Sequence, residues 1–285
     1  MKKKLNFLPL FILVLLLLSA LPSCGGGDTR AVIAVTVPPE ADLVRAVVGD
    51  DFRVVTMVPP GYSPEAYEPT PRAMMDFSGA ALFFSMGLPV DEATLIPALS
   101  EGTRHVALDA EVRKSYPELT VDGERDPHIW LSPRRAAAMV EAIALELGAL
   151  YPDRAALYRE NADAYLARLT AADARVRAAL LDAEVTEFIV YHPAFGYLAD
   201  EYGLTMHALE EHGREATAAH MAEMVDYARE RGIRVVFYQA ETDSRQAEAF
   251  ARDIGGRAVM LAPLSEDYIG NLERMASAIA DAKGE

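Results

Sequence analysis

The side chains with the greatest capacity for chemistry are two histidines and a few carboxylates, each placed where an apolar run ends. His192 directly follows the run Phe188 to Tyr191, inside Tyr191-His192-Pro193-Ala194-Phe195-Gly196-Tyr197. His128 lies in Asp126-Pro127-His128-Ile129-Trp130-Leu131-Ser132-Pro133, just ahead of a helix start. Glu65 and Glu68 occupy the segment Pro59 to Pro71, which five prolines stiffen, and Gln239 and Glu241 follow the run Arg234 to Tyr238. A stiff loop loses little freedom when it holds a cation, so its carboxylates are preorganised for one. Two imidazoles plus one or two oxygen donors suit zinc, manganese or Fe(II), and with Cys24 as the sole cysteine a thiolate site is excluded. On composition alone Glu65 and Glu68 also read as solvated loop acids, and His128 as a packed loop residue. His105 inside a strand, His207 and His212 around an acidic loop, and His220 on a helix surface are weaker ligand candidates.

Such a donor set also serves zinc hydrolases and Fe(II) oxygenases. The chain has no His-Glu-x-x-His pattern, no glycine-rich phosphate loop and no recognisable Ser-His-Asp arrangement, so binding is favoured over catalysis. A surface adhesin or structural lipoprotein with a merely stabilising metal is the third reading.

These residues need elements to hold them. Four short apolar runs, Val32 to Val35, Val54 to Val58, Ala81 to Met86 and His105 to Leu108, predict strands in the first half. Phe188 to Tyr191, Thr205 to Leu209, Arg234 to Tyr238 and Ala258 to Leu261 predict four more in the second. Helical stretches separate them, which makes parallel βαβ units the economical arrangement and places ligands beyond the strands' carboxyl ends. Ser132 before Pro133 reads as an N-cap for a helix through Leu150, and a further helix spans Thr217 to Arg231. Between the halves, Asp153 to Asp182 contains no Gly or Pro. Tyr158, Ala162, Tyr165, Leu169, Ala172, Val176 and Ala179 there form one helical stripe. At ~1.5 Å per residue this helix would run roughly 45 Å. It also reads as an ordinary long helix inside one domain, but a connecting strut is preferred because βα alternation stops before it and restarts after it. The expected class is therefore α/β: two parallel-sheet βα lobes, residues 31–150 and 184–285, joined by one long rigid helix over 151–183.

The 285 residues are 51% apolar and 25% charged, which excludes a disordered, collagen-like or disulfide-stapled chain. Lys2 to Lys4 and the apolar run Phe7 to Leu18 read as a signal peptide over 1–23, too short for a membrane span. Leu21-Pro22-Ser23-Cys24 resembles a lipoprotein cleavage box, with Cys24 as the lipidated residue and 24–30 as a glycine-rich tether. Loss of the three lysines takes the net charge from −16 to −19. A surface that acidic repels phosphate backbones, which argues against nucleic acid as a partner. The expectation is an exported protein in the cell envelope, in the periplasm or on the cell surface, held to a membrane by a lipid anchor.

Three segments in order, Pro60 to Pro71, Asp126 to Pro133 and Tyr191 to Tyr197, resemble the metal-specific solute-binding proteins of ABC transporters for zinc, manganese or iron. That resemblance covers essentially the whole mature chain. It implies two α/β lobes on one long helix, a metal in the cleft between them, delivery to a membrane permease with its ATPase, and a monomer. It also implies His128 and His192 as ligands. Glu65 stands where the family usually has a His. Where it commonly has Asp within a Leu-Asp-Pro-Leu-like segment, this chain has Leu261-Ala262-Pro263-Leu264, and Glu111 to Asp126 lacks the His-rich loop of many zinc importers. The expected ligand set is Glu65, His128 and His192, completed by Gln239, Glu241 or solvent, with zinc as first choice and manganese or Fe(II) next. Affinity should fall as pH drops through the ordinary histidine range near ~6 to 7.

Overall fold

The computed structural model describes residues 29–121, 123–210 and 216–282. The signal segment 1–23, Cys24, most of the tether and His212 lie outside them.

The first half builds β1 (Val32–Val35), α1 (Pro38–Val48), β2 (Arg53–Thr56), α2 (Pro71–Ser78), β3 (Ala80–Ser85), β4 (Arg104–Ala107) and α3 (Leu108–Arg113). Its four strands pair in parallel, in the order β2-β1-β3-β4. A short antiparallel pair, β5 (Thr120–Val121) and β6 (Glu124–Arg125), then leads to a turn at Ile129–Leu131 and to α4 (Pro133–Leu150). The second half repeats the scheme with β7 (Glu187–Val190), α6 (Gly196–Tyr202), β8 (Thr205–Ala208), α7 (Ala218–Arg231), β9 (Val235–Gln239), α8 (Arg245–Asp253), β10 (Arg257–Leu261) and α9 (Tyr268–Asp281). Its parallel order is β10-β9-β7-β8. All eight strands read from the sequence are present, displaced by at most two residues at an end.

Between the sheets runs α5 (Ala155–Asp182), whose 28 residues extend about 42 Å. A single 3-10 turn, Pro152–Arg154, precedes it, so the helix starts two residues after the expected Asp153. Its buried stripe is the expected one up to Val176, but the last member is Leu180 and not Ala179. A step of four from Val176 keeps the larger side chain facing the core. The helix packs against α4, α1 and α9. Tyr165 donates to Asp42 on α1 (2.7 Å), and Tyr202 on α6 donates to Asp173 on the long helix (2.9 Å). One hydrophobic core runs continuously beneath both sheets, from Ile33 and Phe83 through Leu169 to Phe237 and Met275. A smaller core, with Ile189, Met224 and Phe250, fills the outer face of the second sheet. The long helix is thus a shared wall of the main core as well as a connector.

Candidate metal centre

Each candidate ligand sits at the carboxyl end of a strand or on the loop that leaves it. Glu65 belongs to the proline-rich loop between β2 and α2, which closes on itself through Tyr62 N–H to the Pro59 carbonyl and Ala66 N–H to the Ser63 carbonyl, both 3.3 Å. The loop ends where Thr70 caps α2, its hydroxyl accepting from Ala73 N–H, with Pro71 in the first turn.

His128 is held from three sides. Asp126 N–H donates to the Leu119 carbonyl (2.9 Å) and anchors the approach. The turn after His128 buries Trp130, whose indole N–H donates to the Pro263 carbonyl (2.9 Å), while the Tyr268 hydroxyl donates to the Trp130 carbonyl. Ser132 then caps α4 as its sequence announced, accepting from Arg135 N–H (3.2 Å).

His192 extends the β7 strand line. Tyr191 N–H donates to the Phe237 carbonyl (2.7 Å) and Glu210 N–H to the Tyr191 carbonyl (2.9 Å), so the pairing of β7 with its neighbours continues past their ends. That continuation brings the Glu210 side chain beside His192.

The three side chains meet. Glu65, His128 and His192 each offer a donor atom, all within 4.8 Å of one another, and no other three His, Cys, Asp or Glu among the described residues do so. Glu65 Oε1 lies 3.2 Å from His192 Nε2 and 3.8 Å from His128 Nε2, and the two rings are 5.6 Å apart edge to face. Ligand atoms around a tetrahedral ion with bonds of ~2.0–2.1 Å stand roughly 3.3 Å apart, so a small divalent cation would need the three donors to draw together only slightly. They line a cavity of about 260 Å³ with Pro89, Arg125 and Pro193 at its sides. Both histidines are buried, at 6% and 8% exposure, whereas the Glu65 side chain is 36% exposed.

Electrostatics aims both imidazoles inward. His128 Nδ1 is 2.8 Å from Asp126 Oδ1, which also accepts the His128 N–H at 2.9 Å. His192 Nδ1 is 2.6 Å from Glu210 Oε2. Each carboxylate accepts a hydrogen bond from Nδ1–H and leaves Nε2 facing Glu65, the arrangement that fixes tautomer and ring orientation in histidine metal ligands. Burial alone would pull His192 down, but hydrogen bonds and charge from Glu210 and Glu65 outweigh it and push it up to about 9. Burial likewise opposes the Glu65 carboxylate, yet His192 and His128 hold it below its ordinary value. In the metal-free protein a proton on His192 Nε2 occupies the position a cation would take.

The other sequence candidates fall elsewhere. Glu241 is outside this cluster and lines a neighbouring cleft with Thr56, Tyr62 and Glu68. Its Oε2 has no hydrogen-bond partner among the described residues, and burial pushes the carboxyl up. Gln239 closes β9, buried at 6% exposure, and its carbonyl accepts from Thr242. The Ala262 carbonyl accepts from the Asn271 amide (2.7 Å), so that segment braces Trp130 and offers the cavity no side-chain donor. His105 bonds Ser85 and stacks on Phe83, His207 joins Glu187 and Tyr227, and His220 meets the Ala208 carbonyl. Sequence reasoning missed Asp126 and Glu210. The available signal was an acid two residues before His128 and another at the end of the strand beside His192.

Two α/β lobes on a shared core, with a convergent His-His-carboxylate cluster where their strand ends meet, define a two-lobed binding protein. Over residues 33–282 the sequence matches the family described as ZnuA, zinc-uptake complex component A, periplasmic, and the chain belongs to that family. It is 27% identical over 262 residues to the zinc-binding protein AdcA of Streptococcus pyogenes serotype M1, a match covering 83% of this chain and 51% of that one. It is 28% identical over 267 residues to the high-affinity zinc uptake system protein ZnuA of Bacillus subtilis, covering 84% and 83%. The chain spans about half the length of the AdcA relatives. Among solved structures, a crystal structure of ZnuA superposes with a TM-score of 0.83 at 30% identity, covering 89% of this chain and 99% of that one.

Proposed function

We propose that this chain is the extracytoplasmic solute-binding component of an ABC importer: it captures a divalent transition metal, zinc first, and hands it to a membrane permease served by an ATPase. The observation that carries this reading is the convergence of Glu65 Oε1 with two Nε2 atoms whose rings are aimed by their own carboxylates. Glu65, His128 and His192 are the protein ligands, and Gln239, Glu241 or solvent completes the shell. The protein is not an enzyme. It works as a monomer, exported by residues 1–23 and held at the cell envelope by a lipid on Cys24 through the tether 24–30. Its bodies are the lobes 31–150 and 184–285 and the connecting helix 151–183.

A second reading, manganese or Fe(II) as cargo, is favoured by Glu65, because a carboxylate in place of an imidazole hardens the site. Chelator-stripped mature protein titrated anaerobically with Zn(II), Mn(II) and Fe(II), each against a chelator of known affinity, separates the two. Tight one-to-one zinc with much weaker manganese and iron supports zinc import. Equal or preferred manganese or iron moves the cargo to the second reading, and no tight binding of any of the three refutes metal capture.

A further inference from the structure

Asp126 makes two hydrogen bonds with one oxygen, Oδ1, and both go to His128. Its other oxygen, Oδ2, is buried without a hydrogen-bond partner among the described residues. That oxygen points at Gly196, four residues after His192 and the first residue of α6. A Cβ placed on Gly196 would overlap Asp126 Oδ2, while its next neighbour, Val121 Cγ2, stands at an ordinary 3.5 Å. The φ of Gly196 is not in the left-handed region, so backbone freedom does not explain a glycine here. The requirement is space. Asp126 cannot yield cheaply, because any rotation of its carboxylate away from Gly196 breaks its hold on the His128 ring.

The surrounding contacts keep the two segments in this register. The Tyr197 hydroxyl accepts from Leu119 N–H (3.1 Å), Ser132 donates to Glu201 (2.6 Å), and Arg135 pairs with Asp200 while lying over the Tyr197 ring. The helix after one metal-binding histidine is therefore clasped to the segment carrying the other. Resting on the metal-capture reading above, we infer that Gly196 is a positioning residue for metal binding. By leaving room for the Asp126 carboxylate it sets the ring of His128, and so couples the His192 segment of one lobe to the His128 ligand of the other.

The test is a double-mutant cycle in the mature protein, read by zinc competition against a chelator and by the imidazole 15N resonances of His128 in metal-free protein at alkaline pH. Asp126→Ala should weaken zinc by about 10- to 100-fold, the usual loss when a carboxylate that orients a ligand histidine is removed. Gly196→Ala should weaken it in the same range, and both should move the His128 proton from Nδ1 toward Nε2. Asp126→Asn, which keeps an oxygen acceptor, should retain most of the affinity. In the Asp126→Ala background, Gly196→Ala should add nothing, because the overlapping atoms are gone. Gly102→Ala, at an open position, serves as the neutral control.

Unchanged zinc affinity in Gly196→Ala overturns the inference, and so does a further loss in the double variant. Should Gly196→Ala alone fail to fold, a double variant that melts and binds like Asp126→Ala supports the claim, and a double variant that also fails refutes it. Wild-type protein that binds none of the metals refutes the proposed function instead, and the nitrogen resonances then decide the Gly196 claim alone.

Discussion

In the proposed site zinc and a proton would compete for His192, and the competition has a calculable size. The imidazole donates from Nδ1 to Glu210 and faces Glu65 with Nε2, and this pair of acids raises its pKa to about 9. At pH 7, two units below, the metal-free site holds the proton in roughly 99 of 100 molecules, and displacing it costs the incoming cation about 2.7 kcal/mol. Apparent zinc affinity should therefore rise about tenfold per pH unit from 7 to 9, about 100-fold in all, and level off above. This window lies above the ordinary histidine range expected from sequence, because sequence does not disclose the second acid. The stability of the metal-free protein runs the other way. A folded-state value above the unfolded one of about 6.5 contributes stability that is complete below 6.5 and is lost as pH rises through about 9. Calorimetry at pH 7.5 in two buffers of different ionisation enthalpy should count close to one proton released per zinc bound. Glu210→Gln should lower that count and bring the plateau to lower pH. Zinc affinity that is flat between pH 7 and 9, or zinc uptake without proton release, would refute the reasoning.

Further outcomes follow from other parts of the structure. Glu65→Ala should weaken zinc by at least tenfold and His128→Ala by more, since His128 is buried and Glu65 is part-exposed, whereas Glu65→His should restore binding and lower any affinity for manganese; chelator competition reads all three. Glu40 is fully buried, with Oε2 accepting from Thr36 N–H (2.7 Å) and Oε1 unpartnered among the described residues, and burial and then Asp91 push its carboxyl well up. Burial pushes Asp91 itself up to about 6. A raised acid costs stability as pH climbs above its unfolded value, so wild-type melting should decline from pH 5 to 8. Glu40→Gln should flatten that decline by a few degrees, about 1 to 2 kcal/mol in a chain of this size. Trp130→Phe removes the indole bond to the Pro263 carbonyl and should cost about 1 to 3 kcal/mol in urea unfolding, with a several-fold loss of zinc affinity as the turn after His128 loosens.

The sequence disclosed the frame of this site well and its tuning poorly. Strands such as Val32–Val35 were legible because strands buried on both faces of a parallel sheet are short and continuously apolar. Ser132-Pro133 was legible because capping is local chemistry, one hydroxyl reaching a backbone N–H three residues on. The long stripe of α5 was legible for its periodicity, down to a terminal choice between Ala179 and Leu180 that only the facing core decides. Glu210 was illegible for the opposite reason. Its approach to His192 depends on the register between β7 and β8, a long-range pairing of Val190 with Ala208 that no local pattern encodes. Glu241 shows a second limit, because a strand-end position does not give a side chain's direction. It follows β9 closely, yet its carboxylate lies in the neighbouring cleft.

The three proposed ligands are held with unequal firmness, and that inequality bears on how cargo would be taken and surrendered. His128 is tied to Asp126 and through Trp130 to Pro263, and His192 is tied to Glu210 and to the extended strand line, so moving either disturbs the shared core. Glu65 is different. Its backbone N–H donates at 3.3 Å to Ser63 of its own loop, and its side chain reaches solvent. The step of least structural cost is therefore the approach and withdrawal of this one carboxylate against a fixed pair of imidazoles. A wide separation of the lobes would break the core that α5 shares with both sheets, so only a small tilt is compatible with it. Proline stiffening of the Glu65 loop suits this division of labour, since the loop can shift as a unit without first paying to become ordered.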